Sequence, residues 1–384
     1  MVASMMRITI VQGPYFPIPP IKGGAVEKVF FDLGRAWAAA GHQVVHISRS
    51  HPDLPDTENI EGVHHIRIAS RDAPDSRLGF RLHEWLYSLR ARAALPKSDV
   101  TVTNGLFLPL VLPKRRAGQI YVHAARFPKG QMWLYRNADA IQTPSRPIAE
   151  AISRQTPSVA GLLRVIPYPV TEGFDKMPES ALSDTRDKTV LYVGRLHPEK
   201  GLETLIHAFS ALRDTVLTGW RLRIVGPHAS DAGGGGEDYL AKLRELAAPL
   251  DEACRIEAPI YQQEDLAACY RQASLFVYPS VAETGETFGL AALEAMAMGC
   301  ITVVSKLDCF QDFLTDGETG IVFDHRARDP ATALAAALQK ALPHVQSDAK
   351  LRQAAWQVAQ DHSIATIADR FLADFASLTD ASRP

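Results

Sequence analysis

Cysteine is scarce in this 384-residue sequence: Cys254, Cys269, Cys300 and Cys309 all fall in the second half, without a CxxC pair or a neighbouring histidine cluster. That spacing argues against a zinc-binding module, and reduced structural thiols are expected. No stretch approaches the ~20 apolar residues of a membrane span. The N-terminus MVASMM runs into a polar, strand-like stretch without the apolar core of a signal peptide, so a cytoplasmic location is expected. Low-complexity sequence is limited to the glycine run Gly233 to Gly236, expected to be a disordered surface loop in preference to a mobile flap. There is no DxD triplet and no histidine–carboxylate spacing suited to a metal, which favours metal-independent chemistry.

What is present is enough for two cores. Apolar residues make up 46% and charged residues 22% of the chain, and its length exceeds the usual reach of one hydrophobic core. The net charge of −2 hides an asymmetry: residues 1–168 carry 21 Lys and Arg against 12 Asp and Glu, the remainder 20 against 31. A basic first half suits a polyanionic partner or an anionic membrane surface, although scattered solvated charge gives the same balance. No nucleic-acid partner is expected.

Short β-branched runs alternate with helical patterns, the signature of parallel sheets joined by crossover helices. Strands are expected at 7–12, 43–48, 64–69, 99–104, 120–124, 140–145 and 163–167, with helices near 25–40 and 77–94. After a polar stretch with two prolines, a second series is expected at 190–194, 222–226, 255–259, 275–280, 301–305 and 320–323. The fold class is therefore α/β, with two doubly wound domains. The expected division is 1–168, a connection at 169–187, a second domain at 188–360 and a terminal helical segment at 361–384. Such sheets bind ligands at the carboxyl ends of their strands.

Four constellations carry chemistry. In ETFGLAALEAMAMG, Glu286 to Gly299, a helix is expected to start near Gly289, and its first amides and positive dipole end suit a diphosphate. Glu294 lies about 7.5 Å along the axis from Gly289, so Glu286 and Glu294 bracket that terminus and can accept paired hydroxyl bonds. In VGRLHPEKG, Arg195 and Lys200 occupy a strand-to-helix turn where they can neutralise a leaving diphosphate. In PPIKGGAVEKV, Gly23 and Gly24 permit close backbone approach to a phosphate or sugar, or simply a tight turn. In YVHAARFPKG, His123 and Arg126 follow a strand; a lone histidine is as readily structural as catalytic.

Together PSVAETGETFGLAALEAMAMGC, GRLHPEKG and KGGAVE resemble the retaining glycosyltransferases of family 4, with two glutamates separated by seven residues. The resemblance implies the GT-B architecture, two Rossmann-like domains facing a central cleft, with the first domain on the acceptor side, the second on the nucleotide-sugar side and the C-terminal segment crossing back. It implies catalytic roles for His123, Arg195, Lys200 and Glu286. Donor contacts would come from Gly24, Arg195, Lys200, Ile260, Glu286, Phe288, Gly289, Leu290 and Glu294, and acceptor-side contacts from Gly23 and Arg126. The implied reaction is retaining, metal-independent transfer of a hexosyl unit from a UDP- or GDP-linked sugar to an acceptor hydroxyl, with no cofactor. GETFG departs from the family's commoner glycine-rich or proline-containing versions beside the transferred sugar, so the donor stays open.

The first domain usually carries acceptor recognition in that family. Ser76 to Leu95 combines Arg77, Arg81, Arg90 and Arg92 with Leu78, Phe80, Leu82, Trp85, Leu86 and Leu89. Its apolar face is expected to pack into the domain, the alternative being an anionic membrane. Acceptors in view are a cell-envelope glycan, a lipid-linked sugar or a small molecule, with peripheral association at the inner membrane face. Rival readings are a GT-B nucleotide-sugar epimerase, a phosphorylase and a catalytically inactive glycan-binding subunit.

Overall fold

A computed structural model of the chain describes residues 5–21, 24–74, 76–174, 176–177, 182, 185–346 and 349–381. It divides into two compact units, Met1–Thr171 with Ile364–Pro384 and Glu172–Ser363.

In the N-terminal unit the strands are β1 (Arg7–Val11), β2 (Gln43–Arg49), β3 (Thr57–Ile60), β4 (Val63–Ile68), β5 (Val100–Thr103), β6 (Gln119–His123), β7 (Ala140–Thr143) and β8 (Leu163–Val165). The helices are α1 (Ala25–Ala39), α2 (Arg77–Ala94), the short α3 (Leu108–Val111) and α4 (Lys114–Ala117), and α5 (Arg146–Gln155). The sheet runs β3-β4-β2-β1-β5-β6-β7-β8. Every pairing is parallel except β3 with β4. β3 was not expected from sequence: its TENI carries no apolar alternation and lies on the sheet edge, where one face and one side meet water. The central strands read as unbroken apolar or hydroxyl runs because helices cover both faces; all four residues of β5 are buried.

In the C-terminal unit the strands are β9 (Asp187–Val193), β10 (Arg221–Val225), β11 (Cys254–Glu257), β12 (Ala273–Tyr278), β13 (Ile301–Ser305) and β14 (Ile321–Phe323). The helices are α6 (Leu202–Leu212), α7 (Gly236–Ala247), α8 (Gln263–Gln272), α9 (Leu290–Ala297), α10 (Pro330–Gln346) and α11 (Ala349–Asp361). The last helix of the chain, α12 (Ile364–Asp380), is part of the N-terminal unit. The second sheet, β11-β10-β9-β12-β13-β14, is parallel throughout. In both sheets the chain builds outward to one side of the first strand and then crosses to the other. The switch points lie between β1 and β5 and between β9 and β12. At the first, Asn104 Oδ1 accepts the Gly13 amide at 2.8 Å, tying the two carboxyl-end loops together.

Two features depart from the sequence-based expectation. Of the expected apolar face of α2 only Phe80 turns inward, half-buried against the Tyr15 ring; the helix otherwise buries His83, Glu84, Tyr87, Ser88 and Ala91. Leu78, Leu82, Trp85, Leu86 and Leu89 stay exposed. The glycine run is not a disordered loop but an ordered turn into α7. The amides of Gly234, Gly235 and Gly236 donate to Ala229, Leu196 and His228 carbonyls at 2.8–2.9 Å, and a Cβ on Gly234 would strike the His228 backbone.

Candidate active site

The C-terminal unit brings most of the sequence-predicted residues to its switch point. β9 ends at Val193 and releases Arg195; a short turn then carries Lys200 back beneath the end of β12. Lys200 is buried and donates to Glu286 Oε2 at 2.7 Å, and its Nζ sits 5.5 Å from the centre of the Tyr278 ring. Glu286, also buried, reaches Lys200 from the loop after β12. Each of the two compensates the burial of the other while leaving donors and acceptors for a third party. Arg195 is half exposed, with its guanidinium bonded to Gly233 O at 2.6 Å and Glu199 Oε1 at 3.0 Å. Glu199, Tyr278 and Gly233 were not singled out from sequence. Only Gly233 had a signal there, its glycine run, and reading that run as disordered hid it.

The loop then turns into α9 at Gly289. This residue has φ of 91°, and a Cβ on it would collide with the Phe310 ring, so glycine alone fits. Ala292 and Leu293 donate to the Gly289 carbonyl at 3.0 and 3.3 Å, so the amides that precede them point out of the helix end, where the macrodipole is positive. Phe288 is not exposed: its ring packs against Phe313 and His362 and anchors the turn. Leu290 and Glu294 are half-buried, and the Tyr270 hydroxyl lies 3.5 Å from Glu294 Oε2. Ile260, in the loop after β11, is half-buried.

In the N-terminal unit, Gly24 caps α1 with φ of 98°, and any side chain there would strike the Glu27 carboxylate. Glu27, which sequence reasoning passed over, is buried, and burial raises its pKa, opposed by its own backbone amide and by Arg126. Arg126 itself is exposed. Gly23 lies outside the described residues. His123 is only 3% exposed, and burial pushes its pKa down to about 4. It is neutral at physiological pH. Gln142 donates through Nε2 to Ile166 O at 2.5 Å, which turns its Oε1 toward His123 Nδ1, also at 2.5 Å. Nδ1 therefore carries the hydrogen, and Nε2 accepts from the Tyr168 hydroxyl at 2.9 Å. Both ring nitrogens are engaged, a partnership invisible in sequence because Gln142 and Tyr168 come from other segments.

Among the described residues, no group of three or more His, Cys, Asp and Glu side chains is placed to hold a metal ion. No helix among them is long and apolar enough to cross a membrane. All four cysteines are free, and burial raises the Cys300 thiol to about 11 and the Cys254 thiol to about 12.

Residues 173–358 match the family model of the glycosyl transferases group 1. The chain is 26% identical to the lipopolysaccharide 1,2-N-acetylglucosaminetransferase of Salmonella typhimurium, over 82% of this chain and 84% of that one. It is 35% identical to the D-inositol 3-phosphate glycosyltransferase of Rhodococcus opacus over 155 residues, 39% of this chain and a third (33%) of that protein's length. Among solved structures, sucrose-phosphate synthase from Thermosynechococcus elongatus superposes with a TM-score of 0.81 at 23% identity, covering 98% of this chain and 100% of that one. The chain thus has the GT-B fold of two Rossmann-like domains with parallel sheets. Within it residues 173–358 resemble the glycosyl transferases group 1, and that match and the relatives together support glycosyltransferase activity.

Proposed function

We propose that the protein is a retaining glycosyltransferase that moves a hexosyl unit from a UDP- or GDP-linked sugar to an acceptor hydroxyl without a metal. The observation that carries this reading is the buried Lys200–Glu286 pair set beside the start of α9, with Arg195 on the adjacent loop. Arg195 and Lys200 would neutralise the diphosphate as it leaves, where fixed charge acts on the transition state more than on the ground state. Glu286 would hold hydroxyls of the transferred sugar, the backbone from Phe288 to Leu290 would meet sugar and phosphate, Glu294 would accept the ribose hydroxyls and Ile260 would meet the base. The motifs supply no enzymic nucleophile, so the leaving phosphate oxygen is assigned the acceptor proton while the anomeric bond breaks and the new bond forms on the same face.

From the N-terminal unit, Gly24, Gly23 and Arg126 are assigned to phosphate and acceptor contacts. His123 is assigned a hydrogen bond from a sugar hydroxyl to Nε2, made in place of Tyr168. The relative from Salmonella typhimurium, named for lipopolysaccharide, favours a cell-envelope or lipid-linked acceptor, with the chain on the cytoplasmic side of the membrane.

A thermal-shift panel of nucleotide sugars identifies the donor, since a ligand that binds only the native state raises its stability. With that donor, Lys200→Ala and Glu294→Ala are expected to lose at least about 100-fold in kcat/KM, the scale of one deleted transition-state contact. Wild-type turnover in both variants overturns the site assignment, and an inverted anomeric configuration in the product overturns the retaining mechanism.

A further inference from the structure

Helix α2 is mounted with its apolar face outward. At 3.6 residues per turn, Leu78, Leu82, Trp85, Leu86 and Leu89 share one stripe about 100° wide, and the buried residues His83, Glu84, Tyr87, Ser88 and Ala91 lie on the opposite side. The stripe is well exposed: Leu78 by 79%, Leu82 by 55%, and Trp85, Leu86 and Leu89 by 39% each. It continues onto α3, where Leu110 is 45% exposed and Phe107, just before that helix, meets the Trp85 ring edge-on at 5.8 Å. A contiguous apolar surface of this kind marks an interaction site rather than scattered exposure.

Charge decides between occupants. Arg81 and Arg92 line one margin of the stripe and Arg90 the other, Arg77 stands farther round in the first turn, and all four are exposed. Among the described residues none of the four is held in an ion pair; Arg90 donates only to the Ala69 carbonyl, at 3.0 Å. The single acid of the helix, Glu84, is buried on the far side. A second copy of the same face would bring six arginines together with no acid of the helix to meet them, which disfavours self-association. An anionic lipid surface answers both features: its acyl region takes the leucines and tryptophan, and its headgroup phosphates attract the arginines.

We infer that α2 is a docking face for an anionic lipid bilayer, lying in the membrane plane with Leu78, Leu82, Trp85, Leu86 and Leu89 in the acyl boundary and Arg81, Arg90 and Arg92 against headgroup phosphates. At 18 residues the helix is about 27 Å long, an extended contact for a single element. Docking needs neither donor nor acceptor, so it stands or falls apart from the transfer reaction.

The test is co-sedimentation of the full chain with phosphatidylcholine vesicles, with and without phosphatidylglycerol, at low and high salt. The wild type is expected to bind the anionic vesicles strongly and the neutral ones weakly. Replacing Leu82, Trp85 and Leu86 together by Ser should lower partitioning at least about tenfold. Replacing Arg81, Arg90 and Arg92 by Gln should remove the dependence on phosphatidylglycerol and on salt. Because all six side chains are exposed, melting temperature and donor-induced thermal shift should stay at wild-type values, which separates lost docking from lost folding. Failure to bind either vesicle, undiminished binding by both variants, or a wild-type dimer that the serine variant dissociates each overturns the inference.

Discussion

Lys200 and Glu286 are each unaffordable alone in the interior and tolerable together, which is why two charges separated by 86 residues in sequence sit 2.7 Å apart. A different group of side chains couples folding to pH. His46 and His65 stack 5.4 Å apart in neighbouring strands, and among the described residues neither ring has a hydrogen-bond partner. Burial lowers both, His46 well below the ordinary 6.5 and His65 to about 4, with Arg67 adding to the effect at both sites and Glu58 opposing it at His65. His123 is lowered to about 4 as well. A histidine whose folded pKa is depressed leaves stability whole above the unfolded value and removes it as pH falls from 6.5 toward the folded value. At pH 5 the expected loss is about 2 kcal/mol for His65 alone, taking 6.5 unfolded and 4 folded. Denaturant midpoints between pH 7.5 and 5 should fall accordingly, and His46→Phe with His65→Phe should flatten the slope. An unchanged slope in that double variant would remove the pair from the account.

At the scale of the element, α9 owes its placement to one backbone angle. Gly289 at φ of 91° turns the chain, and Phe310 fills the space where a Cβ would stand. Gly289→Ala is expected to cost about 1–3 kcal/mol of stability in the C-terminal unit through strain and displaced packing. It should also weaken donor binding by shifting the helix start; calorimetric titration with the donor found in the thermal-shift panel checks it, and native affinity would show that the amides of this turn do not hold the phosphates. The helix start near Gly289 was legible in sequence because a strand run, a glycine and an apolar helical period succeed one another there. The orientation of α2 was not, because an amphipathic pattern states that two faces differ and not which one the domain covers. Tyr87 and Ala91 are the small share of apolar surface that α2 buries, and His83 and Glu84 go in with them because Ser70 bonds His83 at 3.2 Å and the Leu106 amide bonds Glu84 at 3.4 Å.

The N-terminal unit is completed by the end of the chain. On α12, Phe371 and Phe375 pack edge-on against Trp37 of α1 and around Tyr121 of β6. Three polar ties reinforce this. The Trp37 indole donates to Ala368 O at 3.3 Å, the Tyr121 hydroxyl to Asp374 at 2.7 Å, and Arg164 to the same carboxylate at 3.2 Å. Deleting residues 364–384 would expose Trp37 and Tyr121, both fully buried, each a loss of about 3–5 kcal/mol by analogy with large aromatic truncations. Hydrogen exchange of the truncated chain should show protection collapsing in β1, β2, β5 and β6 while β9, β10, β12 and β13 keep theirs. Equal protection in both units would contradict this dependence.

Sequence alone determined the alternation of strands and helices, two sheets, and the candidate positions Arg195, Lys200, Glu286, Gly289 and Glu294. Each of these is written locally, as an apolar period, a turn residue or a motif spacing. Tertiary structure decided that Lys200 pairs with Glu286, that Gly233 receives Arg195, that His123 is closed off by Gln142 and Tyr168, and that α2 turns its leucines outward. Those outcomes depend on which surfaces meet when the strands are ordered around their switch points. Burial and pairing are properties of the assembled neighbours, and no window of sequence contains them.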